Sequence, residues 1–108
     1  MSTSDSFKDF VLDQLRDLHS VTCRAMFGGH GLYRGETFFG IIHKSRLYFK
    51  TTDASRAAYV KRGMKPFHPS AKQLLKSYYE VPAEIIEDAE MLTGWGQRAL
   101  QAQTRSGH

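Results

Sequence analysis

Apolar side chains in the first twenty residues recur three and four positions apart, at Phe7, Phe10, Val11, Leu15 and Leu18, with Lys8, Asp9, Asp13, Arg16 and Asp17 between them. That period predicts an amphipathic helix over 5–18 with one buried face. Ser4 or Asp5 is its expected N-cap, since a side-chain oxygen there accepts from the unpaired amides of the first turn. From Arg24 to Thr51 the pattern changes to short aromatic and β-branched runs: Ala25-Met26-Phe27, Gly31-Leu32-Tyr33, Thr37 to Ile42 and Arg46 to Lys50. These read as strands, and the short gaps Arg34-Gly35-Glu36 and His43-Lys44-Ser45 suit hairpins, which join strands antiparallel. In the last run Leu47 and Phe49 alternate with Tyr48 and Lys50, as expected when one face packs on helices and the other meets solvent or a partner.

A second helix is expected from an Asp53 cap to about Arg62, ended by Gly63, which enters the left-handed C-cap conformation without steric cost. Pro66 and Pro69 predict irregular backbone over 64–70, and 72–76 carries no decisive pattern. Ser77 to Val81 reads as another strand, and Pro82 suits the first turn of a helical segment. The last helix is expected from Ala83 to about Gln103, interrupted near Asp88, with Met91, Leu92, Trp95 and Ala99 on one face. Gly94 and Gly96 each cost a helix roughly 0.8–1 kcal/mol relative to alanine, which predicts close packing beside Trp95. The expectation is an α+β fold: an antiparallel sheet of about four to five strands packed by N-terminal, middle and C-terminal helices, in one domain over 1–108 with 104–108 a frayed tail.

Composition narrows the class. With 108 residues and 41% hydrophobic side chains, the chain suits a single core and is too short for two. Cys23 is the only cysteine, so no disulfide staples the fold and a cytoplasmic setting is expected. The polar start, Met1 to Asp5, lacks the pattern of a secretory signal, and no segment has the roughly 20 apolar residues of a membrane span. The net charge of +4 is unevenly placed: 1–20 and 81–108 are each −2, whereas 21–80 is +8. The middle of the chain is therefore expected to present a positive face to an acidic partner, against the plainer reading of a solvated surface.

Candidate chemistry is sparse. His19, Cys23, His30, His43, His68 and His108 lack the paired spacing of structural zinc sites, so no metal is expected. Cys23 beside Arg24 has one positive neighbour to favour its reactive thiolate, which is weak support for a nucleophile. Gly28-Gly29-His30-Gly31 lacks the Lys-Ser/Thr ending of a phosphate-binding loop and reads more simply as a tight turn or bulge between strands. Tyr33, Tyr48, Tyr78 and Tyr79, among Arg24, Arg34, Arg46, Lys50 and Lys76, form a candidate basic aromatic surface for bases and phosphates, although alternation would equally supply these rings to a core.

The segment Arg24-Ala25-Met26-Phe27-Gly28-Gly29-His30-Gly31-Leu32-Tyr33 resembles the hallmark of the TfoX/Sxy N-terminal domain family. Phe39 to Ile42 with Arg46 to Lys50, then Arg62 to Phe67, then Ser77 to Pro82, follow in the family's order, so the resemblance spans about 7–102. It implies an α+β domain with an antiparallel sheet, in a family named for regulators of natural competence and DNA transformation that act with the cyclic-AMP receptor protein. Longer members also carry a C-terminal helical domain that resembles helix-hairpin-helix units, and this chain ends where that domain would begin. The family supplies no catalytic residues. Fold similarity alone does not transfer function.

These readings make the chain a regulatory module with no cofactor and no catalytic set. It is expected to bind a protein, a transcription factor or its own copy, through the sheet face or an edge strand. The candidate binding surface is Arg24, His30, Tyr33, Arg34, Arg46, Tyr48, Lys50 and Tyr79; the structural motif positions are Phe27, Gly28, Gly29, Gly31, Gly63, Pro66 and Pro82. The main alternative is a nucleic-acid-binding module using 21–80. A third reading is a small enzyme or ligand-binding protein using Cys23, His30 or Tyr79.

Overall fold

The computed structural model describes residues 3–26, 29–70 and 73–106, with side chains described over 6–25, 29–68 and 74–102. Helix α1 (Thr3–Gln14) leads into four strands, β1 (Val21–Met26), β2 (Gly29–Arg34), β3 (Thr37–His43) and β4 (Arg46–Lys50). Helix α2 (Asp53–Lys61), strands β5 (Pro66–Ser70) and β6 (Gln73–Glu80), and helices α3 (Ala83–Ile86) and α4 (Ala89–Ser106) complete the described chain. The strands form one antiparallel sheet in the order β1-β2-β3-β4-β6-β5. The fold is α+β as expected, with six strands rather than four or five.

Tight connections set the meander. Lys44 and Ser45 both have positive φ, 52° and 61°, the geometry of a two-residue hairpin loop whose twist matches its strands. Gly35 takes φ 63° in the β2–β3 turn. Leu32 and Tyr33 flank a bulge, which brings Phe38 opposite Tyr33 while Gly40 stays opposite Leu32. Gly29 to Gly31 thus lie within β2 in regular pairing with β1, not in the expected turn or bulge. Phe27 and Gly28 lie outside the described residues.

Leu32, Phe39, Ile42, Leu47 and Phe49 form the helix-facing side of the sheet and meet Val11, Leu15 and Leu18 from the N-terminal segment. Tyr59, Val81, Ile85, Leu92, Trp95 and Ala99 close this main core. The first helix stops at Gln14, short of the expected 18, and Leu15 to Leu18 continue as a turn closed by Leu18 N donating to the Leu15 carbonyl at 2.8 Å. Phe10 is 43% exposed, because the buried stripe runs through Val11 and Leu15 and leaves its neighbour on the flank. Met91 is likewise exposed, while Leu92, Trp95 and Ala99 hold the expected face.

Several ends differ in detail from the sequence reading. Thr52, rather than Asp53, caps α2: its hydroxyl accepts from Ser55 N at 3.1 Å and Ser55 Oγ accepts from Thr52 N at 2.8 Å. Threonine supplies the accepting oxygen, and Asp53 becomes the first-turn acid paired with Arg56 at 3.1 Å. Gly63 ends the helix at φ 77° as expected. Pro82 stands at the N-cap of α3 rather than within its first turn. Asp88 does interrupt the C-terminal helix, its carboxylate accepting from Met91 N at 3.1 Å. Helix α4 continues to Ser106.

The segment 64–70, expected to be irregular, contains β5, and β6 begins at Gln73, four residues before the expected strand. Prolines are tolerated here because β5 is the sheet edge, where one side needs no amide donors. Register shifts between Pro66 and Phe67 and between Phe67 and Ser70 curl the β5–β6 hairpin.

Candidate functional site

Cross-strand partners share a face, so the register assigns each candidate to one side of the sheet. Arg24 pairs with Gly31, Gly31 with Ile41, Ile41 with Tyr48, and Lys50 with Tyr78. These positions form an outer face turned away from the main core. Tyr33 and Phe38 join them past the bulge. Arg24, Tyr33, Arg46, Tyr48 and Lys50 of the candidate surface therefore lie together.

The outer aromatics make a ladder. The Arg24 guanidinium lies 4.4 Å from the centroid of Tyr33, Tyr33 lies 5.2 Å from Phe38, and Phe38 lies 5.4 Å from Tyr78. Lys50 Nζ is 5.4 Å from the centre of Tyr78. Such cations are attracted to the negative ring face. Ile41, Tyr48, Phe67 and Tyr78 are buried as a second core, with Phe38 and Leu75 packed against it. Burial, reinforced by Tyr33, pushes the Tyr78 phenol up to about 12. The outer face is thus half sealed, which partly corrects the expectation of rings open to solvent or a partner. The sealing residue is Phe67, in an edge strand that Pro66 and Pro69 hide from the sequence pattern.

Two grooves flank the sealed patch. One, of about 360 Å³, is lined by Lys50, Leu74, Leu75, Lys76, Ser77 and Tyr78. Leu74 is 46% exposed in this groove. The other, of about 370 Å³, lies between the strand floor of Arg46, Tyr48 and Glu80 and the 63–68 segment, which carries Lys65 and His68. Arg46 Nη1 meets Glu80 Oε1 at 3.1 Å across the β4–β6 pair. Lys65, His68, Leu74 and Glu80 were missed because only the curled hairpin brings them to these grooves.

His30, Arg34 and Tyr79 do not join the outer face. His30 pairs with Ile42 and so points to the helix side, where its Nδ1 is buried with no partner among the described residues. Arg34 is exposed but follows Tyr33 onto the opposite side, at the strand end. Tyr79 packs against the main core, 6.0 Å from Tyr59 and under Arg56 at 5.9 Å. Alternation along β2 and β6 is the reason: each follows a residue that faces outward. Cys23 also packs against the main core, whereas Arg24 turns outward to Tyr33, so the charge beside the thiol in sequence lies across the sheet from it.

The motif positions have mostly packing roles. A Cβ on Gly29 would drive into the Ile42 carbonyl, so glycine permits the close β2–β3 approach there. Gly31 is buried between Arg24 and Ile41, and Pro66 opens the edge strand. Among the described residues, no three His, Cys, Asp or Glu side chains gather where a metal ion could be held, and no helix is long and apolar enough to cross a membrane.

A 32% identity over 89 residues links the chain to a protein of Spirochaeta aurantia described as an uncharacterized 12.7 kDa protein in the trpE 5' region, covering 82% of this chain and 73% of that one. The family model of the TfoX N-terminal domain matches residues 13–103, which takes in all six strands, helices α2 and α3 and most of α4. The chain belongs to the TfoX N-terminal domain family.

Proposed function

We propose that this chain is a regulatory module of the kind associated with competence, binding an acidic protein partner on the outer sheet face without turnover. The observation that carries this reading is the cationic rim around a sealed apolar floor: Arg24 and Lys50 lie over Tyr33 and Tyr78, and exposed Leu74 lines one groove with Lys50 and Lys76. The charge pattern supports it. The two −2 segments contain α1 and α3–α4 on the opposite side, while the +8 segment supplies the sheet.

An acidic protein suits this face better than a nucleic acid. Base stacking needs free ring faces. Tyr48 and Tyr78 are at least nine-tenths buried, and Arg24 already covers Tyr33. Carboxylates need only the rim cations, and Leu74 gives a partner an apolar contact.

The test compares wild type with the Arg24→Glu/Lys50→Glu double variant in affinity capture, alongside titration with single-stranded and duplex DNA at low and physiological salt. A protein retained by wild type and lost by the variant, with little DNA binding, supports the proposal. DNA affinity that falls steeply with salt, through counterion release, would replace it with the nucleic-acid reading.

A further inference from the structure

We infer that the cleft between β5 and the β4–β6 pair binds a small organic phosphate that also carries hydroxyl groups, of the sugar-phosphate or nucleotide class. The site lies on the same outer face as the acidic-partner surface but shares no lining residue with the Lys50 and Leu74 groove, and it does not depend on that reading.

Backbone bonds hold the cleft open. Glu80 N donates to the Lys65 carbonyl at 3.0 Å, tying roof to floor, and Met64 N donates to the Tyr59 carbonyl at 3.0 Å, tying the roof to the end of α2. Val81 N donates to the Leu47 carbonyl at 2.8 Å and locks the two floor strands. Phe67, 1% exposed, pins β5 over Tyr48. The volume of about 370 Å³ falls in the range of roughly 300–1,000 Å³ usual for small-molecule sites. A single carboxylate side chain would fill only a fraction of it.

The lining combines two chemistries. Arg46, Lys65 and His68 provide donors for an anion, and the Arg46 fork keeps N–H groups beyond the one that meets Glu80. Tyr48 is 9% exposed where it lines the cleft, and its hydroxyl reaches the cleft surface, where it can donate to a ligand. Burial, with the Glu80 carboxylate nearby, raises its pKa above the ordinary tyrosine value, so the phenol holds its proton further into alkaline pH than a free tyrosine. Glu80 only accepts. It repels a bare anion and attracts hydroxyl donors, so a molecule with both a phosphate and hydroxyls satisfies the lining where either alone does not.

The experiment follows amide NMR shifts of the full chain with ribose 5-phosphate, inorganic phosphate and ribose. Ribose 5-phosphate is expected to give saturable shifts confined to 46–48, 63–68 and 80, inorganic phosphate to bind about tenfold more weakly, and ribose to give none. Tyr48→Phe keeps the ring against Phe67 and is expected to weaken ribose 5-phosphate about tenfold with Tm unchanged. Glu80→Gln is expected to strengthen inorganic phosphate and erase the preference for the sugar. Equal affinity for phosphate and ribose 5-phosphate in wild type, unsaturable shifts spread to Arg24 and Lys50, or no shift at millimolar ligand would each overturn the assignment.

Discussion

The ring of Phe67 lies 4.6 Å from that of Tyr48, although β6 separates their strands in the sheet. Flat neighbouring strands are about 4.8 Å apart, so direct stacking across two spacings requires the edge hairpin to fold over the sheet. The 5.3 Å contact of Phe67 with His43, one strand further, requires the same curl. One side chain therefore seals the second core and makes the neighbouring cleft.

Phe67→Ala should remove this seal. Phenylalanine-to-alanine changes in packed cores cost about 3–5 kcal/mol, and urea denaturation should read a loss of that size. A loss under about 1 kcal/mol would mean that the hairpin is held without Phe67.

The two glycines beside Trp95 should respond in opposite directions. A Cβ at Gly94 meets nothing within 4 Å, so Gly94→Ala should stabilise by up to about 1 kcal/mol through helix propensity. A Cβ at Gly96 would stand 2.8 Å from Leu18 Cδ1, itself buried in the core. Overpacking of about 1–3 kcal/mol exceeds the propensity gain, so Gly96→Ala should lower Tm while Gly94→Ala raises it.

Thr52 and Ser55 each satisfy an amide of the other at the start of α2. Thr52→Ala should cost about 1 kcal/mol in thermal or urea unfolding, and Thr52→Asp should recover most of it.

High pH should weaken the outer core. Burial, then Tyr33, raise Tyr78 to about 12 against an ordinary value of 10.0. The unfolded chain thus loses this proton first, and the stability it contributes is present below pH 10 and lost as pH rises toward 12. Tyr78→Phe should flatten that part of the stability profile relative to wild type; parallel profiles would show that the phenol is not buried as described.

Resemblance and pattern reasoning together made much of this legible. The strands β2–β4, the Gly63 stop, the Asp88 break and the family followed from alternation, turn residues and ordered motifs, whereas β1 starts at Val21, four residues before the expected run. Five of eight surface candidates share one face because alternation in β1, β2 and β4 is regular. His30, Arg34 and Tyr79 were misplaced because proximity in sequence does not say which neighbour turns inward.

The sequence by itself determined the local conformations, the charge segregation and the main hydrophobic stripes, because each depends on spacing within a few residues. Only the tertiary structure decided that β5 exists, that Phe67 reaches Tyr48, and that Arg46, Lys65 and Glu80 share a cleft. Those outcomes rest on contacts between residues as far apart as Arg46 and Glu80, and on the register shifts that curl an edge strand over the face of its own sheet. No local propensity encodes such a curl; it forms because folding the hairpin over removes Phe67 and Tyr48 from water together.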